Sequence, residues 1–360
     1  MWKKLTGPGL LRLLLAELVY VHHMSRFAVG NAAVYVFFCL SGFWVYSMYT
    51  GRYSKTRMPY LTYLVSRLWR LLPTFWLVTL LTFLLIYPDG TLAGYWQRDG
   101  AAHFLLSNFL IFGYYFLPDQ AIVPAWSLDI EMQFYLIAPL IAILLVRRKL
   151  SALLVLLAAA VISVASVWSG NRIPMAGFLV FFVFGMVAAS VRWHPSGRLV
   201  AICLGLVGLA TAGCIASPWR GILLVGSHSG PLAVFTPHAN VVLALLVLPY
   251  AIYTTRQKGF SMDGMFGDLS YVVYLLHWYA CNFWIQAHLG HRFSAAVVGW
   301  IAVSMLAWVI WRFYDHPINR MRSRWVSARM LPAPAEPGLA ESGTVQPGPA
   351  LPAAATTEIS

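Results

Sequence analysis

Apolar stretches of helical spanning length recur almost without a break along this chain, at 8–24, 31–50, 71–88, 102–117, 128–146, 151–169, 174–191, 199–217, 234–254, 269–288 and 294–314. A run of about 20 apolar residues crosses a bilayer core as a helix, because in lipid a helix satisfies its own backbone donors and acceptors. Charged residues make up only 10% of the chain and hydrophobic ones 60%, whereas a soluble domain carries about 25% charged residues. The pattern predicts an all-α polytopic membrane protein. The first run holds Glu17, His22 and His23 and lacks a small-residue cleavage site, so it reads as a retained span and not a removed leader.

The net charge of +13 is explained by topology without a nucleic-acid partner, because membrane proteins concentrate Lys and Arg in cytoplasmic loops. If every run spanned, Arg147, Arg148 and Lys149 would face away from Arg52, Lys55, Arg57, Arg67 and Arg70. Treating 102–117, which is interrupted by Ser107, Asn108 and Gly113, as a short re-entrant or surface helix removes the conflict. About ten transmembrane helices remain, both termini are cytoplasmic, and 20 of the 25 Lys and Arg residues fall inside. The expected location is the cell inner (cytoplasmic) membrane, with lipids as neighbours. A transmembrane domain over 1–320 is followed by a tail, 321–360, basic and then rich in Pro and Ala, which predicts disorder. Cys39, Cys203, Cys214 and Cys281 lie in apolar runs without metal-ligand spacing and read as small buried hydrophobes, so no metal site is expected.

Ionisable groups at membrane depth are costly and read as sites. Arg12 and His23 are eleven residues apart on the first helix, which returns them almost to one face, about 16 Å apart along the axis. In PAWSLDIEMQFYLIAPL, residues 124–140, Asp129 and Glu131 open an apolar span. The antiparallel run of that helix puts Glu131 at roughly the depth of His23, which permits a carboxylate–imidazole pair. SRLWRLLPTFW, residues 66–76, sets Arg67 and Arg70 on one face just before Pro73, where the third span starts. They serve either as a positive-inside anchor or as a phosphate clamp. Ser41 and Gly42 in FFCLSGF allow close helix packing. Ser270, Tyr274 and His277 share one face of GDLSYVVYLLHWYACNFW; His277 is either a satisfied structural histidine or part of a site. Arg312 and Asp315 have the spacing of an ion pair, with Pro317 ending the last helix. Glu17 sits about 140° off the Arg12–His23 face and either pairs with a neighbouring basic group or is held neutral.

In order along the chain, Arg12 with His23, FFCLSGF, RLWR before LLP, AWSLDIEMQFYLIAP, RIPMAGFLVFFVFG, GDLSYVVYLLH and FYDHP resemble the acyltransferase 3 family of integral membrane O-acyltransferases. The resemblance runs from residue 12 to about 317. It departs in reading NAAVYVFF where many relatives have a Gly-Val-Asp run before the paired phenylalanines, and in placing Asp315 where Glu is common. It implies transfer of an acyl group, commonly acetyl, from coenzyme A to a hydroxyl of a glycan, lipid-linked sugar or similar acceptor.

On that resemblance His23 is the expected general base and Glu131 its supporting carboxylate. Arg67 and Arg70 are expected to hold the nucleotide phosphates of acyl-CoA, with Arg12 further along the donor path. Trp126, Ser127 and Tyr135 are expected to shape the acceptor pocket, and His277 to join the substrate contacts. Acyl-CoA enters as a donor substrate, and no permanently bound cofactor is expected. The competing reading is a transporter or flippase with His, Glu and Arg as a proton or substrate path.

Overall fold

The computed structural model describes residues 7–85, 97, 100–118, 120–147, 151–224, 230–257, 259–286 and 293–332. The Pro/Ala-rich tail beyond 332 lies outside the described residues, as do Lys3, Lys4, Arg98, Arg148, Lys149, Lys258 and Arg292 of the charge split. Helices dominate: α1 (Pro8–Met24), α2 (Gly30–Gly51), α3 (Pro59–Leu85), α4 (Ala101–Leu110), α5 (Trp126–Arg147) and α6 (Ser151–Trp168). The second half adds α7 (Pro174–Ser190), α8 (Gly197–Ala216), α9 (Thr236–Thr255), α10 (Asp263–Gln286), α11 (Phe293–Ile310) and α12 (His316–Ser327). Among the described residues the β-contacts are two isolated bridges, Phe27 with Leu224 and Thr56 with Met330.

Six segments among the described residues are long and apolar enough to cross a membrane: Gly30–Lys55, Pro59–Leu85, Val123–Val146, Gly197–Ala216, Pro231–Thr255 and Phe293–Ser327. Helices α6 and α7 are apolar but shorter. The outward surface is apolar as well. Leu153 and Val161 on α6, Ile202 and Leu209 on α8, and Val298 and Met305 on α11 are all exposed, an arrangement suited to lipid and not to water.

Two contacts set the centre of the bundle. Helices α2 and α7 cross at glycines: a methyl group on Gly42 would stand 2.0 Å from the Phe182 carbonyl oxygen, and one on Gly185 would stand 1.9 Å from that of Cys39. Only hydrogen side chains permit that approach, so Gly42 does the packing work its motif predicts. Helices α1 and α10 share a cap. The Asp263 carboxylate, in the first turn of α10, accepts from the backbone N–H of Gly9 at 3.1 Å and of Leu10 at 2.9 Å. One acid thereby satisfies orphan donors at the start of a helix more than 250 residues away, and its charge favours that helix end. Asn240 of α9 similarly joins Ala28 and Ala32 at the start of α2, both at 2.8 Å.

Several boundaries differ from expectation. Helix α3 runs unbroken through Pro73, so the third span starts at Pro59 and not at the proline. Tyr271 and Tyr314 donate to the carbonyls of Leu71 and Pro73 and tie that turn to the bundle. Segment 102–117 is not one helix. Helix α4 has ten residues and ends at Ile111, which has φ 55°; the following stretch, with Tyr114, Ile122 and Ala125 fully buried, folds into the bundle. Pro317 does not stop the last helix: the π-helical turn Trp311–Asp315 runs directly into α12, whose first turn holds the proline. The basic residues 321–327, assigned to the tail by composition, are consequently helical. Three of the four cysteines are buried as expected, and Cys214 is half-buried.

Candidate active site

The bundle encloses a small cavity of ≈ 50 Å³ lined by Arg12, Val34, Phe37, Phe38, Ser127, Leu128, Glu131, Ser270, Tyr271 and Tyr274. Four helices, α1, α2, α5 and α10, converge here because α5 begins inside the protein. The turn Val123–Ala125 is buried against α10, so the first turns of α5 deliver Ser127 and Glu131 to the interior. Glu131 Oε1 accepts hydrogen bonds from Ser41 Oγ at 2.5 Å and from Tyr135 Oη at 2.6 Å. Ser127 Oγ and Tyr274 Oη lie 2.8 Å apart and both bond the Pro124 carbonyl.

Glu131 therefore faces Arg12 and does not reach His23: among the described residues no hydrogen bond or ion pair joins that carboxylate to the imidazole. The depth argument placed the start of α5 at the membrane surface, whereas the turn Val123–Ala125 that leads into it has Pro124 and Ala125 buried. His23 instead stacks on His277, with ring centroids 5.3 Å apart at 27°, and meets Trp278 edge-on at 5.4 Å. His277 is 0% exposed, and among the described residues no side chain hydrogen-bonds its ring nitrogens. Tyr274 bridges the groups, its ring 5.7 Å from that of His277 and its hydroxyl on Ser127.

Arg67 and Arg70 share one helix but divide in role. Arg70 donates to both carboxylate oxygens of Asp315, at 3.2 and 3.1 Å, and to Asp268 at 3.1 Å. Asp315, 1% exposed, also accepts from Thr74 and Asn319. A guanidinium held by two carboxylates has little capacity left for a phosphate. This corrects the paired clamp. It also corrects the Arg312–Asp315 ion pair, because the π-helical turn Trp311–Asp315 turns Asp315 toward α3 and leaves Arg312 over the Phe313 ring. Arg67 is the uncompensated member. Its guanidinium lies 5.7–5.8 Å from the ring centres of Tyr53, Tyr63 and Tyr135, contacts Met48 Sδ at 3.2 Å and meets no described carboxylate.

The remaining residues also sort by geometry. Tyr135 lies between Glu131 and Arg67, donating to the carboxylate with its ring 5.8 Å from the guanidinium. Trp126 borders a separate opening at the end of the bundle that carries His23. Asp129 is structural, accepting from the Tyr115 N–H and from Gln133, both at 2.9 Å. Glu17 bonds the Trp300 indole N–H at 2.7 Å, so its partner is not a basic group. Ser41, read for its size, is a hydrogen-bond donor to Glu131. Arg322, counted only as a topological charge, bonds Ser66 at 3.0 Å. Asp268 sits in the GDLSY string, but nothing local links it to Arg70, 198 positions away.

A half-buried carboxylate, an arginine and a histidine pair thus meet on helices suited to lipid. The comparison with known families gives this site a chemistry: the acyltransferase 3 model, described as an acyltransferase domain, matches residues 6–312. The chain belongs to this family and is an acyl-transferring membrane enzyme, which sets aside the transporter reading. It is 26% identical over 340 residues to the exopolysaccharide production protein ExoZ of Rhizobium meliloti, covering 88% of this chain and 97% of that one. It is 23% identical to the O-acetyltransferase OatA of Staphylococcus aureus, covering 87% of this chain and 57% of the relative. To the putative membrane-bound transacylase BcsY of Komagataeibacter xylinus it is 25% identical, covering 83% and 80%. No solved structure matches it.

Proposed function

We propose that this enzyme moves an acyl group, acetyl in the simplest case, from cytoplasmic acyl-CoA to a hydroxyl of a glycan, lipid-linked sugar or similar acceptor. The carrying observation is the continuous run of chemistry-bearing groups from Arg67 and Arg12, past Glu131, Ser127 and Tyr274, to His277 and His23. In this reading ten helices span the inner membrane with both termini cytoplasmic. Acyl-CoA binds as a substrate, with no resident cofactor. Arg67, free of a carboxylate, receives donor phosphate, and Arg12 stands further along the path. Arg70 holds α3 to α10 and to the π-helical turn before α12, and acts on the donor only through that frame.

His23 takes the proton of the acceptor hydroxyl as its oxygen attacks the thioester carbonyl. The new C–O bond forms, the C–S bond breaks, and the imidazolium returns its proton to the departing thiolate, giving ester and free coenzyme A. His277 and Trp278 set the imidazole plane by ring contact. Glu131 orders Ser41 and Tyr135 and balances Arg12 across the cavity.

The test combines purified protein in lipid nanodiscs, labelled acetyl-CoA and membranes from a strain lacking the gene. His23→Ala and Glu131→Gln proteins are expected to insert normally and to lose at least a hundredfold in transferred label, within the span attributed to a positioned proton acceptor. Full activity in the His23→Ala protein would overturn the base assignment.

A further inference from the structure

The turn into α5 separates two cavities. Ser127 borders the inner one; Trp126 borders a larger one of ≈ 410 Å³, a largely open pocket lined by Asn31, Tyr35, Tyr115, Gln120, Trp126 and Phe178. That volume lies in the range of small-molecule sites. The cavity sits at the end of the bundle that carries His23, since Asn31 opens α2 only eight residues beyond it.

Its lining combines two elements. Trp126 lies 6.2 Å from Tyr115 and 5.8 Å from Phe178, and Tyr35 lies 5.5 Å from Phe178, so ring surfaces form a continuous aromatic wall. Polar ends converge beside it. The hydroxyls of Tyr35 and Tyr115, the indole N–H of Trp126 and the Asn31 amide make no hydrogen bond to any described residue. Gln120 donates its amide N–H groups to the carbonyls of Tyr114 at 3.0 Å and Tyr115 at 3.5 Å, leaving its own oxygen free to accept.

A phosphate-bearing ligand calls for a cation, and among the described residues no Lys or Arg lines the cavity. An acyl chain would leave every one of those polar ends dehydrated and unpaired, at about 1–3 kcal/mol each. A pyranose ring matches both elements, because its C–H faces pack on aromatic rings while its rim of hydroxyls donates and accepts in many directions. We propose that this cavity is a neutral-saccharide subsite, seating a sugar ring of the acceptor beside the Trp126–Ser127 turn. Phe38 meets Trp126 edge-on at 6.5 Å and also lines the inner cavity, so a single aromatic layer divides the bound sugar from the interior groups. The assignment rests on the acyl-transfer reading above and adds the place where the acceptor sugar sits and the residues that select it.

The experiment uses the full chain in nanodiscs, labelled acetyl-CoA and graded amounts of membranes from the deletion strain as acceptor source. The Asn31→Leu, Gln120→Leu double variant is expected to raise the half-saturating amount of acceptor at least tenfold while shifting that for acetyl-CoA less than twofold. Tyr35→Phe, which keeps the ring and so protects the fold, is expected to raise the acceptor value at least threefold. The transferred label should be released with sugar after mild acid hydrolysis. Unchanged acceptor dependence in both variants, equal loss for donor and acceptor, or label confined to sugar-free lipid would overturn the subsite. A wild-type protein that transfers no label at all would refute the acyl-transfer reading itself, a result separable from failure of the subsite alone.

Discussion

Replacing Gly42 by Ala tests the central crossing, and the sign of the effect is itself diagnostic. In an isolated helix that change is favourable by about 1 kcal/mol, because Ala loses less backbone entropy than Gly. Here the new methyl would lie 2.0 Å from the Phe182 carbonyl oxygen, a contact that must open to at least 3.0 Å. Helices α2 and α7 must therefore part by about 1 Å, a gap that forfeits a quarter to a half of the dispersion energy between facing atoms. Those atoms include the Phe38–Phe182 stack at 4.5 Å and the Tyr35–Phe181 stack at 4.9 Å. A net loss of about 3 kcal/mol, the upper end of ordinary overpacking, is expected despite the propensity gain. The same shift would stretch the 2.5 Å bond from Ser41 to Glu131 toward the limit of a hydrogen bond, so activity should fall with stability. Gly185→Ala relieves its own clash by the same movement. The double variant should consequently cost at least 1 kcal/mol less than the sum of the single ones. Equilibrium unfolding in mixed micelles measures all three. A Gly42→Ala protein as stable as wild type, or strict additivity, would refute the close-crossing argument.

The two arginines of α3 should separate experimentally. Arg70→Ala leaves Asp315 buried without its cation and is expected to destabilise by about 3–5 kcal/mol, read as a lowered unfolding midpoint. Arg67→Ala removes no ion pair and is expected to keep that midpoint within a few degrees while raising the apparent KM for acetyl-CoA at least tenfold, measured by initial rates. Asp263→Ala strips the cap from α1 and should cost about 1–2 kcal/mol, with faster hydrogen exchange at Gly9 and Leu10 as the local signature. His277→Phe keeps a flat ring against His23 and should preserve the fold; a kcat unchanged within twofold would remove His277 from the chemistry.

The membrane class, the helical architecture and the roster of polar intruders were legible because each is a local property. A run of apolar side chains is its own instruction for a lipid-facing helix, and a charge within it stands out against that background. Arg12, His23, Glu131 and the Gly42 crossing were all found this way. Pairings were not legible in the same manner. Arg70 meets Asp315 across 245 positions and Asp263 meets Gly9 across 254. Such contacts depend on how helices are arranged, which periodicity within one helix does not encode.

The same division explains the errors. Spacing alone offered Arg312 to Asp315 and a shared depth offered Glu131 to His23, but Asp315, at the end of a π-helical turn, meets Arg70, and Glu131 meets Ser41 and Tyr135. The amino-acid sequence by itself determined that this chain lives in a membrane as helices and carries a small set of costly ionisable groups. Its family signature named their chemistry. Only the tertiary structure decided which groups meet, making Arg70 a neutralised strut, Arg67 a free cation and His277 the partner of His23. The physical reason is range: hydrophobic periodicity is set within a few residues, whereas charge neutralisation and ring contact are decided over a few ångströms between segments that the chain itself holds far apart.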